Sequence, residues 1–111
     1  MTIRYKSDTF NLTTTGATTV FTCPSDATAL VKLVQATHNT ASNVDTDLLL
    51  QKSGGSDVLI SHATLNKNTT NMLQETLSME ASDVLKMQAG TANEITGVVS
   101  YALIDRSQEN G

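Results

Sequence analysis

Few residues of this chain combine the types and spacing that metal binding needs. His38 and His62 are its only histidines, and no Cys or carboxylate stands at a metal-ligand spacing from either. Zinc takes three or four protein ligands, so two histidines from two strands would not hold it alone. We therefore predict no metal site, and we expect both histidines to lie at the surface near strand ends.

Two carboxylates are placed where acid–base chemistry could start. Asp45 and Asp47 are two residues apart, so on a strand both would lie on one face. Paired carboxylates can exchange protons with a substrate or bind Ca²⁺. The segment lacks the glycine and the distant glutamate of an EF-hand loop. We expect two solvated charges rather than a site.

Nucleophilic catalysis has no assembled signature either. The sequence has no Gly-x-Ser-x-Gly elbow, and Gly54-Gly55 is not followed by the Gly-Lys of a phosphate-binding loop. Cys23 is alone, which rules out an internal disulfide, and its apolar surroundings before Pro24 predict a small buried hydrophobic side chain. We predict no catalytic residue and no cofactor, and we expect that the chain is not an enzyme.

Charge and composition exclude several partners. The 111 residues carry a net charge of −4, only 16% are charged, and Lys and Arg are scattered singly, whereas nucleic-acid binding needs them clustered. The N-terminus lacks the apolar core of a signal peptide, and no apolar run approaches the roughly 20 residues that span a bilayer. We expect no nucleic-acid partner, no membrane, and synthesis in a cytoplasm without secretion.

Short β-prone runs, rich in β-branched Thr, recur along the chain between turn residues. They predict one all-β domain over residues 1–111, with a core from about 3 to 104 and a polar tail at 105–111. The predicted architecture is an antiparallel β-sandwich of about eight strands, either a jelly roll or an Ig-like Greek key. The eight runs are Ile3–Leu12, Ala17–Cys23, Thr28–Asn39, Val44–Ser53, Asp57–Leu65, Thr69–Met79, Val84–Ala89 and Glu94–Ile104.

Two local patterns refine this prediction. Gly54-Gly55, flanked by serines and by two strand-like runs, predicts a hairpin. Asn71–Leu85 partly fits a helical spacing and is the one helical alternative.

Two segments are apolar on both faces, namely Ala29–Val34 and Val98–Ile104. Such a strand is either central in its sheet or covered by a partner chain. We therefore predict contacts between copies of the chain, with a closed trimer as the expected assembly. The candidate contact residues are Leu30, Val31, Leu33, Val98, Ala102 and Ile104.

Several segments resemble a known family. Residues 11–24 (Asn-Leu-Thr-Thr-Thr-Gly-Ala-Thr-Thr-Val-Phe-Thr-Cys-Pro), followed by Ala29-Leu30-Val31-Lys32, resemble the opening of small β-sandwich virion proteins of tailed bacteriophages, including cyanophages. Residues 80–89 (Glu-Ala-Ser-Asp-Val-Leu-Lys-Met-Gln-Ala) resemble a later segment of that family, except that Ser82 stands where Gly is common.

The resemblance implies a virion component. The expected role is a capsid decoration (cement) protein that contacts copies of itself and the major capsid protein. A small tail or neck component, in contact with tail proteins, is the first alternative. A carbohydrate-binding module for host attachment is the second, because such modules stack sugars on exposed aromatic rings. Tyr5 and Tyr101 are the tyrosines available for that, although we expect Tyr101 to belong to the core.

Overall fold

A computed structural model describes residues 2–105, which form nine β-strands and no helix. The predicted polar tail begins inside the last strand, at Asp105, and residues 106–111 lie outside the described residues. The strands are β1 (Thr2–Leu12), β2 (Thr18–Thr22), β3 (Ala27–His38), β4 (Val44–Gln51), β5 (Asp57–Leu65), β6 (Thr69–Asn71), β7 (Leu77–Met79), β8 (Val84–Ala89) and β9 (Ile95–Asp105).

The strands form two antiparallel sheets packed face to face. The first sheet has the order β1-β9-β3-β6, with β7 also paired to β3, and the second has the order β2-β8-β4-β5. Because β6 and β7 lie end to end along β3, they fill one strand position. The chain then has eight strand positions, counted in sequence order. The first position pairs with the eighth, the second with the seventh, the third with the sixth and the fourth with the fifth. This order is that of a jelly roll and resolves the choice against the Ig-like arrangement.

The two strands that are apolar on both faces are central in the first sheet. β9 lies between β1 and β3, and β3 lies between β9 and the β6–β7 position. A bulge at Lys32 shifts the register of β3, so that Val31 and Val34 both point into the core instead of alternating. Of the two alternatives for such strands, the structure shows the central position for both, and this position accounts for much of their two-faced apolar character.

Aliphatic side chains fill the space between the sheets. Leu85 and Met87 of β8 are fully buried, as are Leu48 of β4 and Ile95 of β9. Cys23 is also buried, with its Sγ 3.5 Å from the carbonyl oxygen of Ala27, as its apolar setting predicted.

The run predicted as one strand over Thr69–Met79 is divided in two, and the helical alternative for this region is wrong. The side chain of Asn71 causes the interruption. Its Oδ1 accepts hydrogen bonds from the backbone N–H groups of Leu73 and of Val34 in β3, at 3.1 and 3.4 Å. An Asx-type bond of this kind replaces the ladder locally and turns the chain. The backbone N–H of Met72 still donates to the carbonyl of Val34 in β3, and residues 73–76 then leave the sheet between β6 and β7.

The predicted hairpin joins β4 to β5. Gly54 has φ +79°, and the backbone N–H of Gly55 donates to the carbonyl of Lys52 at 2.8 Å. A positive φ of this size costs an L-residue energy but not glycine. The turn chemistry that predicted the hairpin is therefore the chemistry that forms it.

Ser82 also has a positive φ, +69°, in the turn between β7 and β8. We expect Ser82→Gly to raise the free energy of unfolding by about 1 kcal/mol, because glycine adopts this conformation without the steric cost of a Cβ. Urea unfolding followed by circular dichroism measures the difference. Ser82→Ala is the matched control: it removes the same hydroxyl and keeps the Cβ, so it should bring no such gain. Equal stabilisation by both variants would contradict this explanation.

Candidate functional site

The predicted contact residues do not all face the same way. Val31 is fully buried on the core face of β3, so it has no surface to offer a partner. The register places the other five, Leu30, Leu33, Val98, Ala102 and Ile104, on the outer face of the first sheet. Four of these are half-buried, and Ala102 is buried between its neighbours on that face.

Part of β1 extends this outer face. Ile3 lies opposite Ile104, and Tyr5 lies opposite Ala102, which in turn lies opposite Leu30. The side chains of Ile3 and Tyr5 are 52% and 77% exposed. We call the surface formed by Ile3, Tyr5, Leu30, Ala102 and Ile104 the outer patch. Sequence analysis missed the contribution of Ile3 and Tyr5, although their alternation with Arg4 and Lys6 was the signal that they share a face.

A second apolar surface lies at the edge of the other sheet. Val58, Leu59 and Ile60 of β5 are consecutive and exposed, at 58%, 55% and 39%. A bulge opposite Leu48 and Leu49 inserts Ile60 as an extra residue. Within residues 2–105, β5 pairs only with β4, so its other edge carries unpaired backbone groups. An apolar edge strand without proline or lysine can add a further strand.

A groove of about 460 Å³ runs beside this edge. It is bounded on one side by β5 and on the other by the segment that Asn71 turns out of the sheet. Its apolar lining comes from Ile60, Met72, Leu73 and Leu77, and its polar rim includes Glu75. Unpaired backbone, exposed aliphatic side chains and an apolar groove therefore meet along one side of the sandwich, which we call the β5 edge.

The aspartate pair lies on the outer face of the second sheet. Asp47 Oδ1 is 2.5 Å from His62 Nδ1, and Thr64 donates a hydrogen bond to Asp45 at 2.8 Å. The hydrogen bond with Asp47 raises the pKa of His62. Within residues 2–105, no three His, Cys, Asp or Glu side chains come together as a metal site. The pair acts as cross-strand contacts, which the sequence analysis described only as solvated charges.

The prediction that both histidines are at the surface is wrong for His38. Its side chain is buried, with Nδ1 3.1 Å from the carbonyl oxygen of Leu65 and Nε2 2.7 Å from Thr40 Oγ1. Thr40 in turn donates to Glu94 at 2.9 Å. Both ring nitrogens thus have partners, as a buried imidazole requires. His38 therefore links the end of β3 to the end of β5, and its role is structural.

Tyr101 belongs to the core, as predicted. Its ring packs against Phe21 with centroids 4.2 Å apart, and its hydroxyl donates to Asp8 at 2.8 Å. Burial, together with the hydrogen bond to Asp8, raises the pKa of Tyr101 to about 12. A platform made from Tyr5 and Tyr101 therefore does not form, since only Tyr5 presents its ring to solvent.

Asp83 is the one buried carboxylate among the described residues. It accepts hydrogen bonds from Lys52 Nζ at 2.5 Å, from the backbone of Glu80 at 2.9 Å and from that of Ser53 at 3.0 Å. Burial alone would raise the pKa of Asp83, but these bonds outweigh it and leave the pKa below its usual value. The carboxylate therefore joins the turn after β4 to the turn before β8.

Within residues 2–105, no helix is long and apolar enough to cross a membrane. Among the described residues, the outer patch and the β5 edge are exposed apolar surfaces without a role inside the chain. Both are suited to contact with another protein surface.

Comparison with known proteins gives structural neighbours only. No protein-family profile matches the sequence, and no curated protein does. A chain of the acid-stable capsid structure of Helicobacter pylori bacteriophage KHP30 superposes with a TM-score of 0.58 at 14% identity, covering 96% of this chain and 90% of that one. A chain from the disulfide-linked pili of Bacillus endospore appendages superposes with a TM-score of 0.51 at 13% identity, covering 92% and 86%. The chain therefore shares its β-sandwich fold, over nearly all of its length, with these two proteins.

Proposed function

We propose that the chain is a virion structural protein of a bacteriophage, most specifically a capsid decoration protein that bridges capsid subunits and stabilises the shell. The observation that carries this proposal is the match, over 96% of the chain, to a chain of a bacteriophage capsid structure. The resemblance of residues 11–24 and 80–89 to small virion proteins of tailed phages points the same way.

The surfaces of the molecule support an assembling role. Two apolar areas remain exposed on a small domain, the outer patch and the β5 edge. Contiguous exposed apolar surface marks sites of protein contact. The proposed partners are the major capsid protein and further copies of this chain, arranged as a closed trimer. A subunit that touches several neighbours needs only modest affinity at each contact, because the first contact raises the effective concentration for the next.

We also propose that this role involves no catalysis. The titratable groups that the structure brings together have structural partners: Asp83 joins two turns, His38 ties two strand ends, and Asp47 pairs with His62. The protein would be made in the host cytoplasm and carried in the virion.

The first alternative, a small tail or neck component, would use the same surfaces. Quantitative mass spectrometry of purified particles, before and after the tails are removed, distinguishes the two. A decoration protein stays with tail-less heads in proportion to the major capsid protein. Loss of the chain together with the tails would support the alternative and contradict decoration. Absence of the chain from complete particles would overturn the virion role itself.

The second alternative, a host-attachment module that binds carbohydrate, is weakened because Tyr101 is buried. It depends on Tyr5 alone. Glycan-array binding that Tyr5→Ala abolishes would support this alternative over decoration, and an array without binding would leave decoration as the better explanation.

A further inference from the structure

The β5 edge has the features of a site that accepts a strand. Its backbone hydrogen-bonding groups are unpaired within residues 2–105, its exposed residues Val58–Ile60 are apolar, and the groove beside it is lined by Met72, Leu73 and Leu77. An extended segment could add backbone hydrogen bonds along the edge while alternate side chains enter the groove. This is the general geometry of β-strand addition.

The N-terminal half of β1 has the complementary features of a segment that could fill it. β1 is an edge strand of the first sheet and pairs only with β9 within the described residues. Ile3 and Tyr5 stand exposed on one of its faces, while Arg4 and Lys6 are exposed on the other. It is thus a regular extended segment with two large apolar side chains at alternate positions.

The two edges lie on opposite sides of the sandwich. β1 packs beside β2, whereas β5 packs beside β6, so the two strands border the two lateral openings between the sheets. One copy can therefore present β1 to a neighbour while its own β5 edge receives β1 from the next copy. A contact between two different surfaces repeats, and it closes into a ring when the rotation allows.

Charge favours this pairing over pairing of like edges. Glu75 on the groove rim makes no ion pair among the described residues, whereas Asp57 at the start of β5 is already paired with Lys86. Arg4 and Lys6 on β1 likewise make no ion pair within residues 2–105. Pairing of two β5 edges would bring acidic groups together, and pairing of two β1 edges would bring cations together. Pairing β1 with β5 brings opposite charges together, which selects the partner and its orientation.

We propose that copies of this chain associate head to tail, with the N-terminal half of β1 (Ile3–Asp8) from one copy added to the β5 edge of the next, and with Ile3 and Tyr5 in the groove. This deepens the proposed function, since it names the surfaces through which copies would meet. It requires no capsid, so it can be tested on the purified chain.

Sedimentation velocity of the purified full-length protein over a concentration series provides the test. We expect self-association with a dissociation constant tighter than about 1 mM. Leu59→Lys places a charge on the exposed edge and should weaken association at least about tenfold. Leu59 is 55% exposed, so this variant should keep its fold, which thermal unfolding by circular dichroism checks.

A charge exchange identifies the partner edge. Arg4→Glu combined with Lys6→Glu should weaken association about tenfold, and adding Glu75→Lys should recover most of the loss. Lys32→Glu combined with Lys67→Glu is the matched control, because it changes the net charge equally at exposed sites outside both edges and should leave association unchanged. The added Glu75→Lys substitution has no ion pair of its own to lose among the described residues.

Four results would overturn the inference. In the first, the protein sediments as a monomer at every concentration, and in the second, Leu59→Lys leaves association intact. In the third, the charge reversals on β1 have no effect on association, and in the fourth, the added Glu75→Lys restores none of the lost association. If the charge reversals on β1 leave association unchanged while Leu59→Lys abolishes it, the copies pair through two β5 edges related by a two-fold axis instead. The proposed function is judged separately: a chain that remains on tail-less heads but is monomeric in solution keeps the decoration role and loses head-to-tail pairing.

Discussion

Gly97→Ala is expected to lower the free energy of unfolding by about 3 kcal/mol or more. Gly97 lies in β9 between Phe10 of β1 and Ala36 of β3. A Cβ at this position would stand 1.9 Å from the carbonyl oxygen of Gln35 and 2.5 Å from Cζ of Phe10. The ring could rotate away, but the carbonyl belongs to the ladder between β3 and β9. One of the two central strands would have to shift.

Urea unfolding of Gly97→Ala beside Gly16→Ala measures the effect. A Cβ at Gly16 would have its nearest neighbour at 3.9 Å, an ordinary van der Waals distance, so the control should change stability by less than about 1 kcal/mol. The double variant Phe10→Leu, Gly97→Ala separates the two contacts. Because the Gln35 carbonyl remains, we expect the smaller side chain at position 10 to restore little. Full recovery would mean that the aromatic ring, not the backbone, excludes a side chain.

Asp83→Ala is expected to cost about 3 kcal/mol or more for a different reason. The variant leaves the part-buried N–H groups of Ser53 and Glu80 without their acceptor and removes the charge-assisted bond from Lys52 to the buried carboxylate. Asp57→Asn is the control, since Asp57 pairs with Lys86 on the surface, and an exposed pair contributes less than about 1 kcal/mol. Equal effects of the two variants in thermal unfolding would contradict the role of burial.

The same carboxylate makes stability depend on pH in the acid range. Its bonds hold the pKa of Asp83 in the folded protein below the ordinary value of 3.8. The unfolded chain therefore takes up the proton first as the pH falls. The stabilisation is complete above pH 3.8 and is lost as the pH falls through the folded pKa. Asp83→Asn should flatten the acid limb of a plot of unfolding free energy against pH, and an unchanged limb would assign acid sensitivity to other groups.

The sequence predicted strand bounds best where a β-prone run is closed by turn residues at both ends. The predicted bounds of β5 and β8 agree with the structure at both ends, and Gly54-Gly55 located the hairpin. Each of these signals is local: a period of two, a turn glycine, a β-branched run. The jelly-roll order depends on which distant strands pair, and the sequence analysis left it open beside the Ig-like alternative for that reason.

The misses came from events that break a period within a strand. Bulges follow Thr19 and Val31, and another inserts Ile60, and each shifts side chains to the other face. Val31 was predicted as a contact residue and lies in the core. A bulge is fixed by pairing with the neighbouring strand, which a single sequence does not display. The burial of His38 also depends on strand pairing. Its neighbours Leu65 and Glu94 lie far from it along the chain and are brought to it only in the folded protein.

The candidate surfaces could be inferred from sequence only in part. The two-faced pattern of β3 and β9 drew attention to side chains of which all but Val31 lie on the outer face of the first sheet. The β5 edge did not emerge, although Val58, Leu59 and Ile60 form an uninterrupted apolar run. In a single sequence such a run indicates a strand buried on both faces. Its position at the end of the second sheet is what leaves it exposed.

The pairing of the first strand with the last has a consequence for biosynthesis. β9 completes the first sheet by entering between β1 and β3, and Tyr101 bonds to Asp8 across most of the length of the chain. The ribosome must therefore release nearly the whole polypeptide before this sheet can close. Until then β1 and β3 lack their shared neighbour, and contacts so distant along the chain form slowly. The nascent protein passes through a period in which its central strands are open to incorrect pairing.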